Sequence, residues 1–280
     1  MSYIMMVDQL QDRLKHDKSN LVLVDVRFEL TDPDAGRERY AESHIPGAVY
    51  LDLNRDLSGL VRKHGGSHPL PDFDVLATKL GKVGIDNETT VVVYDQDNDM
   101  FSARFWWLLQ YMGHESVYVL EGGYNKWIEE GNDVTSEFPV IQEKGFKLKL
   151  SEYEIVTMEE VKANITDKKA ILIDSRARDR YLGISEPLYR KAGHIPGAVN
   201  YFWKDVYTKE GGWKKKEDIE KHFTPLLKDH EIIVSCGSGV SACPNIIALK
   251  IAGYKNVKLY PGSFSDWISY ENNEIEESKE

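Results

Sequence analysis

Two similar α/β domains, each a mainly parallel sheet flanked by helices, are predicted by three features of this 280-residue chain. First, the box His44-Ile45-Pro46-Gly47-Ala48-Val49 recurs residue for residue as His194-Ile195-Pro196-Gly197-Ala198-Val199. Second, both boxes sit in the same series of apolar runs, turns and tryptophans. Third, short apolar runs alternate with longer helical ones, the order that places parallel strands in one sheet with helices on its faces.

The elements follow in order. Residues 1–14 read as an amphipathic first helix. Leu21 to Asp25, with Arg27 just beyond, is a strand ending in an acid and an arginine. After the first box come a strand at Thr90 to Tyr94, an apolar helix ending at Gly113, and a short strand from Val117 into the Gly122-Gly123 turn. Trp127 follows. The second half repeats this with Ala170 to Asp174 and Arg176, the second box, Glu231 to Ser235, a helix from Asn245 to Ala252 stopped by Gly253, Val257 to Gly262, and Trp267. Asp25 and Asp174, at strand ends, are expected to bond loop backbone. The predicted division is a first domain over 1–138, a polar, lysine-rich linker over 139–152 and a second domain over 153–280. The alternation Phe146-Lys147-Leu148-Lys149-Leu150 reads as a surface strand, and the acidic tail 274–280 as disordered.

Composition narrows the function. There are 46 acidic against 35 basic side chains, a net charge of −11, which argues against nucleic acid and anionic membrane partners. No run approaches the ~18 apolar residues of a spanning helix, and no charged-then-apolar leader is evident, so a cytoplasmic enzyme is expected. Two cysteines give no disulfide framework and no metal-ligand spacing, and no cofactor is implied.

The chemistry concentrates in Cys236-Gly237-Ser238-Gly239-Val240-Ser241-Ala242-Cys243. The apolar run Ile232-Ile233-Val234 leads into it and a helix follows, so Cys236 stands at the carboxyl end of a strand, where open α/β sheets collect ligands. A glycine-rich turn entering a helix aims N–H groups and partial positive charge inward. A thiol there should ionise below the ~8.5 of free cysteine. The other reading is that Cys236 is a small buried apolar residue. Cys243 reads as core, and Pro244 fits the first helical turn. Ala242 stands where a cysteine phosphatase needs an arginine, which argues against that class.

With both boxes, Arg180-Tyr181-Leu182-Gly183, the cysteine loop and the paired turns in place, the chain resembles the tandem-domain rhodanese-type sulfurtransferases over nearly its whole length. The resemblance implies that Cys236 cycles between thiol and persulfide and that the first domain has lost its cysteine. Asp95 stands at the matching position, with Asp97 and Asp99 beside it, and that field opposes a thiolate. The loop is similar to that of the 3-mercaptopyruvate branch, because neutral Gly237 and Ser238 replace the basic residues of the thiosulfate branch. Leu182 departs from it. The resemblance implies Arg180 and Arg190 as carboxylate-binding residues, suited to bidentate pairing. Ser238 is implied as a proton relay partnered by His44, with Asp34 a weaker choice for an acid. Gly237, Gly239, Val240 and Ser241 would supply the amide cradle. Expected partners are a small-molecule sulfur donor and a thiol, cyanide or thioredoxin-like acceptor. The competing class is a non-enzymatic persulfide carrier or interaction module using the same cleft.

Overall fold

The computed structural model describes residues 3–152 and 154–277. By contacts it divides into two units. Unit 1 comprises Met1–Gly59, Pro71–Ser151 and Lys209–Gly212, and unit 2 comprises Leu60–Leu70, Glu152–Thr208 and Trp213–Glu280. Residues 139–151 therefore lie with unit 1, and each unit takes a short segment from the other half of the sequence.

Unit 1 runs β1 (Ile4–Met5), α1 (Val7–His16), β2 (Leu21–Asp25), α2 (Ala35–Glu42), β3 (Val49–Tyr50), α3 (Phe73–Lys82), β4 (Thr90–Tyr94), α4 (Met100–Tyr111), β5 (Val117–Leu120) and α5 (Gly123–Glu129). Its five-stranded sheet has the order β1-β5-β4-β2-β3, parallel throughout. Unit 2 runs α6 (Met158–Asp167), β6 (Ala170–Asp174), α7 (Arg178–Leu182), β7 (Val199–Asn200), a 3-10 turn, α8 (Lys216–His222), β8 (Glu231–Ser235), α9 (Cys243–Ile251), β9 (Val257–Leu259) and α10 (Ser263–Trp267). Its sheet, β7-β6-β8-β9, is also parallel. Where unit 1 has β1, unit 2 has an isolated parallel bridge from Ile155 to Leu259.

The repeat is written in the cores. Leu23, Ile45, Ala48, Val92, Tyr124 and Trp127 pack together in unit 1. Leu172, Ile195, Ala198, Ile233, Phe264 and Trp267 do so in unit 2. The central strands β2, β4, β6 and β8 are apolar without alternation because helices cover both faces of each sheet. Helix ends follow local chemistry. Thr157 and Glu160 form a reciprocal capping box at the start of α6, and Asp72 caps α3 through the N–H groups of Asp74 and Val75. Pro244 occupies the first turn of α9, whose residues Cys243 to Leu249 are all buried.

Three expectations change. The first helix begins at Val7, behind the strand β1; positions 1 and 2 lie outside the described residues. Residues 146–150 form no strand. They are tied down singly, by Lys147 N–H to Asn87 Oδ1 at 2.7 Å and Lys149 N–H to Met112 O at 3.2 Å. The acidic tail is tied down by backbone hydrogen bonds as far as it is described, with its glutamates exposed. Glu276 exchanges backbone hydrogen bonds with His194 at 2.8 and 2.9 Å, and Trp267 Nε1–H donates to Glu274 O at 2.8 Å. Positions 278–280 lie outside the described residues.

Candidate active site

Cys236 follows the last residue of β8, the strand flanked by β6 and β9, so it emerges at the carboxyl edge of the sheet. It is 1% exposed and unpaired. Gly239 N–H donates to its Sγ at 3.1 Å. That turn needs glycine: Gly239 has φ +77°, and a Cβ there would stand 2.3 Å from Pro261 O. Gly237 and Val240 are buried beside it, Ser241 is half-buried, and Cys243 is 0% exposed with its Sγ 3.5 Å from Gly239 O.

A second wall comes from the turn after β9. Ser263 holds φ +52°, a left-handed conformation unusual for a side-chain-bearing residue. Its Oγ accepts from Cys236 N–H at 3.0 Å, donates to Tyr260 O at 2.8 Å and lies 4.0 Å from Cys236 Sγ.

Charge is arranged in a chain behind the thiol. Arg176 is bound by Asp174 (2.5 Å) and Glu186 (3.1 Å) and stacks on Phe264 at 3.9 Å. Burial works to lower the Arg176 pKa, but Asp174, Glu186 and the Cys236 thiolate outweigh it and hold it above the ordinary value. Arg180, on α7, places Nε and Nη2 on the same Glu186 at 2.8–3.2 Å. Its side chain is 20% exposed. Arg190 is exposed.

The proton-relay expectation needs correction. The histidine on Ser238 is His68, whose Nδ1 lies 2.8 Å from Ser238 Oγ. His68 belongs to the segment Leu60–Leu70, which is part of unit 2. Gly65 N–H donates to Asp266 Oδ1 (2.7 Å), Ser67 N–H donates to Ser265 Oγ (3.0 Å), and His64 stacks on Tyr270 with centroids 4.0 Å apart. Gly66, at φ +85°, passes so close to Gly262 that a Cβ would stand 2.5 Å from its carbonyl oxygen. His44 instead lies buried in unit 1, with Nδ1 2.7 Å from Tyr40 O, Nε2 3.2 Å from Glu137 O and its ring stacked on Tyr40. His194 does the same in the second box, with Nδ1 2.7 Å from Tyr181 O and its ring stacked on Tyr181. The box histidine thus makes the same backbone contact and ring stack in both copies. Asp34 is exposed and paired with Arg55. A sequence signal for His68 did exist: the first half is longer between box and next strand (49–90 against 199–231), and the surplus contains His64-Gly65-Gly66-Ser67-His68.

In unit 1 the matching loop is filled by its own side chain. The Asp95 carboxylate accepts from Asp99 N–H and Ser102 N–H, both at 2.9 Å, and burial pushes its pKa up. Among the described residues, no group of three or more His, Cys, Asp or Glu is placed to hold a metal. No helix among them is long and apolar enough to cross a membrane.

A cysteine at a strand end, an amide turn closing on its sulfur and a second, thiol-free copy of the same unit define a duplicated α/β protein with one loop cysteine at a sheet edge. The chain belongs to the rhodanese family: the rhodanese-like domain model matches residues 6–130 and again 157–270. It is 38% identical over 271 residues to a probable 3-mercaptopyruvate sulfurtransferase of Pseudomonas aeruginosa, covering 95% of each chain. It is 36% identical to a thiosulfate sulfurtransferase of Mus musculus, covering 83% of this chain and 80% of that one. Among solved structures it is similar to SseA from Escherichia coli, whose structure is described under 3-mercaptopyruvate sulfotransferases. The TM-score is 0.81 at 31% identity, over 95% of this chain and 100% of that one.

Proposed function

We propose that this chain is a sulfurtransferase that moves sulfane sulfur from 3-mercaptopyruvate, or less readily thiosulfate, through a persulfide on Cys236 to a thiol or cyanide. The observation that carries this reading is the Cys236 loop itself. One turn holds Gly239 N–H on the sulfur and Ser238 on His68.

The Cys236 thiolate attacks the donor sulfur. With mercaptopyruvate the S–S bond forms as the C–S bond breaks, and the electron pair passes to carbon as the enolate of pyruvate. Ser238, backed by His68, supplies the proton that carbon takes up. In the second half-reaction an acceptor thiolate or cyanide takes the outer sulfur, and the thiolate returns. The loop amides hold the sulfur in both states, which is electrostatic preorganisation.

Donor preference follows from local charge. Arg176 and Arg180 are already countered by Asp174, Glu186 and the thiolate, which leaves little positive charge for a dianion. Gly237 and Ser238 add none. A carboxylate-bearing, less charged donor suits this balance, with Arg180 Nη1 and the exposed Arg190 as its binding groups. The test compares kcat/KM for both donors, with sulfur on Cys236 followed by intact mass. Mercaptopyruvate is expected to win, and Cys236→Ser to take up no sulfur while Cys243→Ser does. Thiosulfate as the better donor would overturn the preference, and sulfur on Cys243 would overturn the site.

A further inference from the structure

Tyr189 stands over the Cys236 loop, and nothing in the steps above uses it. It lies in the segment between α7 and the second box and packs on the core cluster of unit 2, with its ring centroid 6.2 Å from that of Phe264. A Cβ on Gly237 would stand 2.8 Å from its hydroxyl oxygen and 3.3 Å from Cε2, so the ring edge and hydroxyl lie directly against the residue that follows Cys236. The Arg180 guanidinium is 5.4 Å from the ring centroid. Ser67 and Ser265 flank its oxygen, and the Ser265 hydroxyl donates to Gly262 O at 3.2 Å. Burial first, and then the charge on Cys236, raises the phenol pKa, which keeps the group a neutral donor beside an anionic sulfur.

A phenol oxygen has two lone pairs and one proton. The Ser265 proton is spent on Gly262 O, so the phenol keeps its own proton for an acceptor, and the anion beside it is the strongest acceptor at hand. We propose that the Tyr189 hydroxyl, seated on Gly237 and steadied by Ser67 and Ser265, donates a hydrogen bond to the outer sulfur of the Cys236 persulfide and so sets the rate at which an anionic acceptor takes that sulfur. This rests on the persulfide reading of Cys236. Cyanide attacking R–S–S⁻ brings two negative charges together. A donor on the outer sulfur offsets that repulsion as the S–S pair returns to Cys236, giving thiocyanate and the free thiolate. The ring also closes the loop from above, so Gly237 is glycine for the sake of this contact.

The experiment isolates the second half-reaction. The full-length protein is loaded chemically with inorganic polysulfide, so that discharge is read whichever donor the protein prefers, and the added sulfur is checked by intact mass. Discharge to cyanide is then followed in a single turnover for wild type and Tyr189→Phe. The expected result is about a tenfold slower discharge in Tyr189→Phe, with loading within about twofold and an unchanged unfolding midpoint. Ser67→Ala, which removes one anchor of the hydroxyl, should slow discharge in the same direction by a smaller factor. Equal discharge rates in wild type and Tyr189→Phe would overturn the proposal, as would equal slowing of loading and discharge, which marks a merely structural ring. Failure of polysulfide to place sulfur on Cys236 would overturn the persulfide reading itself.

Discussion

Ser263 invites a comparison between two small replacements that most buried serines would not distinguish. Its φ of +52° is matched in unit 1 by Gly123 at +55°, four residues before Trp127 as Ser263 is before Trp267. A non-glycine residue there costs about 1–2 kcal/mol. The serine is compensated by its Oγ, which receives the buried Cys236 N–H and binds Tyr260 O. Ser263→Ala keeps the strained backbone and orphans that N–H, a loss of about 1–3 kcal/mol. Ser263→Gly orphans it too and relieves the strain, at an added unfolded-state entropy of about 0.5–1 kcal/mol. The order of stability should therefore be wild type, then Ser263→Gly, then Ser263→Ala, with the two variants about 0.5–1 kcal/mol apart. Urea unfolding of the full chain, followed by tryptophan fluorescence, reads this order directly. Both variants should also load sulfur on Cys236 more slowly, because the backbone that aims the thiol is no longer held. Ser263→Ala as stable as Ser263→Gly, or either as stable as wild type, would refute the reasoning.

The two histidines should separate cleanly. His68→Asn is expected to lower kcat for mercaptopyruvate by ~10²-fold or more at an unchanged unfolding midpoint, whereas His44→Ala should lower the midpoint by several degrees and leave kcat within about threefold. The reverse pattern would restore His44 to the site. Burial holds the His114 pKa below its ordinary value. The folded form therefore refuses a proton that the unfolded chain accepts below about pH 6.5. The stability His114 contributes is complete above that pH and is lost as pH falls towards and through its folded pKa. Urea titrations at pH 7.5 and 5.0 should show a larger loss for wild type than for His114→Gln, and equal losses would exclude His114 as a source of acid sensitivity.

Local and repeated features were readable from the chain alone. The duplicated fold was legible because each strand, turn and tryptophan recurs in order, and core positions such as Leu23 and Leu172 or Trp127 and Trp267 pack alike. The placement of Cys236 at a sheet edge was legible because a strand end, a glycine turn and a helix start are contiguous. Its loop amides and Ser238 came with it. The resemblance supplied Arg180, but not that Glu186 already grips it and Arg176 together.

Which histidine meets Ser238 is set by long-range packing. The conspicuous one, His44, is repeated as His194. Repetition in both the thiol-free and the thiol-bearing unit is the mark of a folding role, met by backbone carbonyls at Tyr40 and Tyr181. The inconspicuous one, His68, sits in a glycine-rich segment with no periodicity and no counterpart in the second half. It reaches Ser238 across 170 positions of chain. Local pattern encodes local structure through backbone and burial periodicity. A contact of that span is fixed by how Gly65, Gly66 and Ser67 seat on the turn around Gly262, Ser265 and Asp266, which no window of sequence contains.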